Sequence, residues 1–129
     1  MKKFTKATLT VVALLMAVVC LVACVPSNVD KAIEKFEKLD CYSMEKGALG
    51  NSELKAMAKT DEIEGTAQYA RGFSDDGTVN LYYFQSAKDA RLFFEGYVVR
   101  MRDTYRWENI DCKGKVVIFG SGKLVEEFI

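Results

Sequence analysis

TAQYARGFSDDGTVNLYYFQS, Thr66 to Ser86, is the stretch that decides the fold of this chain. Two runs rich in aromatic, β-branched and small residues flank Asp75-Asp76-Gly77, the composition of a β-hairpin around a tight turn. Antiparallel pairing is therefore the starting point for everything else. A three-residue loop with Gly77 in the left-handed region pairs Phe73 with Val79, Arg71 with Leu81 and Tyr69 with Tyr83. A two-residue Asp76-Gly77 loop instead pairs Ser74 with Val79 and Phe73 with Asn80. The first register gathers Ala67, Tyr69, Phe73, Val79, Leu81 and Tyr83 on one face, and a sheet with one buried face favours it.

Downstream of the hairpin, Ser86 is placed to cap a long helix, with Asp89 three residues on as an acidic variant of the capping box. Ala90, Phe93, Phe94, Tyr97, Val98, Met101 and Tyr105 form its apolar stripe. Gly96 falls in mid-helix, where glycine costs up to about 1 kcal/mol against alanine, so its presence predicts a close neighbour. Residues 107–112 and 115–119 make a second hairpin around Lys113-Gly114. After Gly120-Ser121-Gly122, the residues Leu124, Val125, Phe128 and Ile129 predict a terminal helical turn.

Upstream, Val29, Ala32, Ile33, Phe36 and Leu39 recur at helical spacing, with Ser27 or Asn28 as the cap. Cys41 to Met44 reads as a short strand ending near Gly47. Ser52 caps a second, short helix carrying Leu54, Met57 and Ala58, closed by the polar run 59–64. Helix, strand, short helix, hairpin, long helix, hairpin and helical end specify an α+β fold. The expectation is one antiparallel sheet of four to five strands with helices packed on one face. Residues 29–129 form this single domain.

The segment before it is a targeting sequence rather than structure. Lys2, Lys3 and Lys6 precede a run from Ala7 to Ala23 that is apolar except for Thr8 and Thr10, and no acid occurs before Asp30. Length alone leaves a cleaved signal and an uncleaved single-pass helix both open, because a bilayer span needs about 17 to 25 residues. The end of the run separates them. Leu21-Val22-Ala23-Cys24 resembles the lipobox of bacterial lipoprotein signal peptides. Leu21 stands at the leucine position, Val22 at a permissive one and Ala23 at the small-residue position before the cysteine. Cys20 does not fit, since Val19 stands where a small residue belongs.

The resemblance covers residues 1–24 only. It implies removal of residues 1–23 by cleavage between Ala23 and Cys24, with a diacylglycerol on the Cys24 sulfur. Residues 24–28 then form a short tether, and the membrane becomes a partner through the lipid. The domain would sit on the outer face of the cytoplasmic membrane, or on the periplasmic side of an envelope membrane. Two or more acyl chains anchor stably where one does not.

Without residues 1–23, three lysines are lost and 15 basic residues face 18 acidic ones, a net charge of −3 that argues against nucleic acid as a partner. The chain has no histidine, which removes the commonest general base and metal ligand. Ser43-Met44-Glu45-Lys46 and Ser52-Glu53-Leu54-Lys55 match S-x-x-K, yet the supporting motifs of penicillin-recognising enzymes are missing. Gly120-Ser121-Gly122-Lys123 follows a strand, but Val117 and Leu124 occupy positions where a P-loop needs glycine and a hydroxyl. Asp75-Asp76-Gly77 lacks the alternating ligands of a calcium loop and is read as a turn.

Two clusters stay as candidates. Arg100, Arg102, Arg106 and Trp107 could touch an anionic surface near the anchor. Cys41 and Cys112, exported beyond the cytosol, are a candidate disulfide closing a loop of about 70 residues. No cofactor or metal is expected. The leading functional expectation is a non-catalytic domain that binds a protein, peptide or envelope polymer. The alternative is a small envelope enzyme using a carboxylate pair drawn from Asp61, Glu62 and Glu64.

Overall fold

The computed structural model of the protein describes residues 28–39, 41 and 43–129. The signal-like segment, the cleavage point at Ala23 and Cys24, and the tether up to residue 27 lie outside the described residues. Helix α1 spans Val29–Glu37, and Asn28 caps it by accepting the Lys31 N–H on Oδ1 at 3.2 Å. Strand β1 is Ser43–Leu49, and α2 is Asn51–Ala58. The hairpin strands are β2, Ala67–Ser74, and β3, Gly77–Phe84. Helix α3, Ala87–Phe93, runs through a π-helical stretch, Phe94–Val99, into α4, Arg100–Tyr105. The second hairpin is β4, Asn109–Lys113, with β5, Val116–Ser121, and α5, Gly122–Phe128, closes the fold.

All strand pairs are antiparallel, in the order β1-β2-β3-β5-β4, so the α+β class with one antiparallel sheet is what the chain adopts. The helices divide between its two faces rather than gathering on one. Ala32 and Phe36 of α1 and Leu124, Val125 and Phe128 of α5 pack over Ala70, Val79, Leu81, Val116 and Ile118. Leu54 and Ala58 of α2, Ala90 and Phe93 of α3, and Val98 pack over Ala67, Tyr82, Phe84, Val117 and Phe119 on the other face. Burying both faces is why β3 and β5 read as nearly unbroken apolar runs, a pattern usually met in parallel sheets.

That second layer also moves the hairpin register. Ser74 pairs with Gly77, Phe73 with Thr78, Gly72 with Val79, Arg71 with Asn80 and Tyr69 with Tyr82. The loop is Asp75-Asp76, so the pairing is shifted by one residue from the three-residue-loop register and by two from the two-residue-loop register. Val79 and Leu81 therefore lie with Gly72 and Ala70, not with Phe73 and Tyr69. Two-sided burial removes the reason for collecting every large residue on one face. The short helix α2 is capped differently too. Glu53 Oε1 accepts the Gly50 N–H at 3.4 Å, while Ser52 is exposed.

Glycines allow the tightest crossings. Gly77, at φ +132°, lies against Gly122 at φ +76°, and a Cβ on Gly77 would stand 2.0 Å from the Ser121 carbonyl oxygen. The Lys123 N–H donates to the Asp76 carbonyl at 2.7 Å. The Gly120-Ser121-Gly122-Lys123 stretch is thus engaged in joining β5 to the first hairpin. Gly96 has the close neighbour its position predicts, since a Cβ there would lie 2.2 Å from the Ala58 carbonyl oxygen. Gly96→Ala, favourable by propensity, should therefore lower the denaturant midpoint by about 1–3 kcal/mol of stability, the usual range for overpacking. A raised midpoint would show that α2 can move aside.

Candidate functional site

The face carrying odd residues of β2 and even residues of β3 is closed at one end by α2 and α3 and partly open at the other. Ala67 and Phe84 lie under the helices, whereas Arg71, Phe73 and Thr78 are half-buried. Strand alternation puts Arg71 directly across from Asn80 and Tyr69 across from Tyr82. Gly47 of β1 faces Tyr69, and a Cβ there would lie 2.5 Å from the tyrosine hydroxyl, so the glycine makes room for the ring.

Arg71 is held on one edge. Its Nε donates to Asn80 Oδ1 at 2.8 Å and its Nη2 to the Tyr82 hydroxyl at 3.2 Å. Asn80 is buried and donates from Nδ2 to the Phe119 carbonyl at 3.1 Å, which fixes its amide. The guanidinium lies 5.3 Å from the Tyr69 ring centre, within cation–π range. Glu45 is a loose counterion, with Oε2 3.9 Å from Nη1, and it is more than half exposed. Of the five guanidinium donors, two have these fixed partners. Among the described residues, Glu45 is the one ion-pair partner of the guanidinium, and the Arg71 side chain is 34% exposed.

An aromatic ladder supports this arginine. Tyr82 stacks on Tyr69 at 5.5 Å and on Phe93 at 5.1 Å, and Phe93 continues to Tyr97. Tyr97 meets Trp107 edge-on, and Trp107 stacks with Tyr105 at 5.0 Å and tilts against Phe119 at 4.4 Å. The π-helical stretch, Phe94–Val99, lowers the turn angle per residue around Tyr97 and so brings Tyr97 and Tyr105 closer to one helix face. Burial first, then the neighbouring Tyr105 and Tyr82, pushes the Tyr97 phenol up to about 12. Burial also raises Tyr82, against the pull of Arg71. Both phenols thus remain neutral beside the guanidinium at physiological pH.

The residues singled out from sequence are scattered. Arg100 donates from Nε to the Gly96 carbonyl and from Nη2 to the Met57 carbonyl, both at 2.8 Å, tying α4 to α2. Arg102 donates to the Trp107 and Glu108 carbonyls at 3.2 and 3.1 Å, closing the turn into β4. Arg106 is exposed at φ +57°, and Trp107 is packed in the aromatic ladder. The four do not form one basic surface.

Cys41 and Cys112 are not bridged to each other. Cys41 packs against the face covered by α1 and α5, and Cys112 belongs to the opposite face, on the far edge strand β4. The expected disulfide is corrected by this two-sided architecture, for the sheet itself stands between the two sulfurs. Burial, aided by Asp111, pushes the Cys112 thiol up to about 11, the reverse of an activated cysteine.

The carboxylates Asp61, Glu62 and Glu64 are exposed along one loop. Glu64 pairs with Lys88 at 3.3 Å, and Asp61 lines a shallow cavity of about 450 Å³ with Lys55 and Lys59. The buried acid nearby is Asp89, whose oxygens accept the Glu64 and Gly65 N–H groups at 3.1 and 2.9 Å and hold that loop in place. Among the described residues, no cluster of cysteine and carboxylate ligands could hold a metal ion. None of their helices is long and apolar enough to cross a membrane.

No protein-family model, curated protein or solved structure matches this chain. The Arg71 cluster escaped the sequence reading because its members are spread over five elements. The one signal available was an arginine, the single charged residue of its hairpin strand.

Proposed function

We propose that the protein is a lipid-anchored extracytoplasmic binding domain, tethered through Cys24, whose ligand surface is the open end of the sheet around Arg71. The Leu21-Val22-Ala23-Cys24 sequence behind a lysine-rich start supports the anchor. The observation that carries the binding role is the Arg71 guanidinium, fixed on one edge by Asn80 and Tyr82 and left with only the loose Glu45 contact at Nη1. A pre-positioned charged group among rigid aromatic rings binds a partner at low entropic cost.

The position of Asn28 argues against the four basic and aromatic residues around α4 as a membrane contact, since they lie with Arg71 toward the far end of the sheet. Asn28 lies beside Ala87, Gly114 and Lys115, at the end of the sheet where β4 turns into β5. Arg102 and Trp107 lie at the opposite end of β4, a full strand length away. Cys24 stands four residues before Asn28, a reach of at most about 14 Å, so the bilayer would face the Asn28 end. The Arg71 face then points outward to a protein, peptide or envelope polymer.

Cys24→Ala tests the anchor. The expected result is an uncut precursor that takes up no acyl label; processing to the unaltered size would overturn the lipoprotein reading. For the binding surface, a photo-crosslinking residue in living cells at the exposed Glu45 should give a discrete adduct. The same residue at the exposed Glu126, on α5 behind the sheet, should not. Matching adduct patterns at the two positions would remove the Arg71 face from the proposal.

A further inference from the structure

We infer that the Nη1–Nη2 edge of Arg71 is a receptor for a carboxylate group carried on a ring-shaped or apolar body. This rests on the reading of the Arg71 face as the ligand surface and names the chemistry that surface would take. A guanidinium offers a planar fork that matches the two oxygens of a carboxylate. Here one edge of the fork is spent on Asn80 and Tyr82, which orient it, and Nη1, on a side chain 34% exposed, keeps only the loose Glu45 contact. Its neighbour on that side, Glu45, is a carboxylate already, 3.9 Å from Nη1 and too distant for a hydrogen bond. It marks the position and shows that an incoming carboxylate has only a loosely held, exposed group to displace.

The surroundings fit an attached ring better than a bare ion. Tyr69 lies beneath the guanidinium and stacks on Tyr82, whose hydroxyl also holds the arginine. The neutral phenol of Tyr97 adds no charge to repel an anion. A single planar guanidinium held by an amide and a phenol suits one carboxylate more than the higher charge of a phosphate.

Trp107 is the chain's one tryptophan and touches this ladder, so its emission reports on the site without a label. The full chain in a neutral detergent would be titrated with benzoate, with benzamide as the uncharged isostere, and with inorganic phosphate. The expected result is a saturable change with benzoate, at least tenfold weaker with benzamide. Arg71→Lys should weaken benzoate binding at least tenfold, because an ammonium keeps the charge but loses the fork. Glu45→Gln should tighten it two- to fivefold by removing the competing carboxylate, an effect that a purely structural Arg71 would not produce.

Equal responses to benzoate and benzamide, a response to phosphate alone, or no saturation by tens of millimolar benzoate would overturn the inference. So would unchanged affinity in a folded Arg71→Lys. Should that variant lose its native circular dichroism, Glu45→Gln decides by itself, with unaltered or weaker binding counting as failure. None of these outcomes touches the anchor, which acyl labelling at Cys24 reads independently.

Discussion

Gly77→Val is expected to cost at least about 3 kcal/mol and to shift the denaturant midpoint accordingly. Two effects add. The backbone at φ +132° is one that a β-branched residue adopts only under strain. The new Cβ would also stand 2.0 Å from the Ser121 carbonyl oxygen and 2.9 Å from the Gly122 Cα, so backbone and not a yielding side chain must move. Separating those segments breaks the crossing where β5 leaves the sheet for α5, and loosens the Lys123 N–H bond to Asp76. Asp75→Ala, in the same exposed loop, should change stability by no more than about 0.5 kcal/mol. Similar midpoints for both variants would show that the glycine crossing is not formed.

The second large effect is expected from Phe93→Ala, at about 3–5 kcal/mol. Phe93 is fully buried and contacts Tyr82, Phe84 and Tyr97 within 5.1–5.2 Å between ring centres. Emptying its place removes the platform on which Tyr82 rests, and Tyr82 in turn holds Arg71. Stability and ligand response should therefore fall together. Phe93→Leu, which keeps most of the volume, should cost well under half as much and preserve the Trp107 response to benzoate. Equal losses for leucine and alanine would mean that the stacking on Tyr82, not the filled volume, carries the site.

Local signals were legible wherever a residue acts on its own neighbours. Asn28 and Ser86 cap the helices their positions predict, with Ser86 Oγ accepting the Asp89 N–H at 3.1 Å. Gly96 announced a close approach and Ala58 supplies it. The capping of α2 was misplaced, because Ser52 is the residue type that caps while the Gly50–Glu53 geometry does the work. Asp89 was read as a cap residue alone; its buried carboxylate reaching the Glu64 and Gly65 amides is a contact across more than twenty positions that no local pattern carries.

What the sequence determined by itself is the order of elements, the antiparallel pairing and the α+β class, since these follow from turn residues and short-range periodicity. Tertiary structure alone decided the register, the separation of Cys41 from Cys112 and the Arg71 cluster. Each depends on which side of the sheet a residue occupies. Side-chain alternation identifies the sides only when one of them is wet. Here α1 and α5 cover one face and α2 and α3 the other, so Leu81 and Phe84 are both apolar in sequence yet point to opposite layers. The packing of helices onto both faces, settled by contacts far apart along the chain, is what turned an arginine in a strand into an oriented and partly open guanidinium.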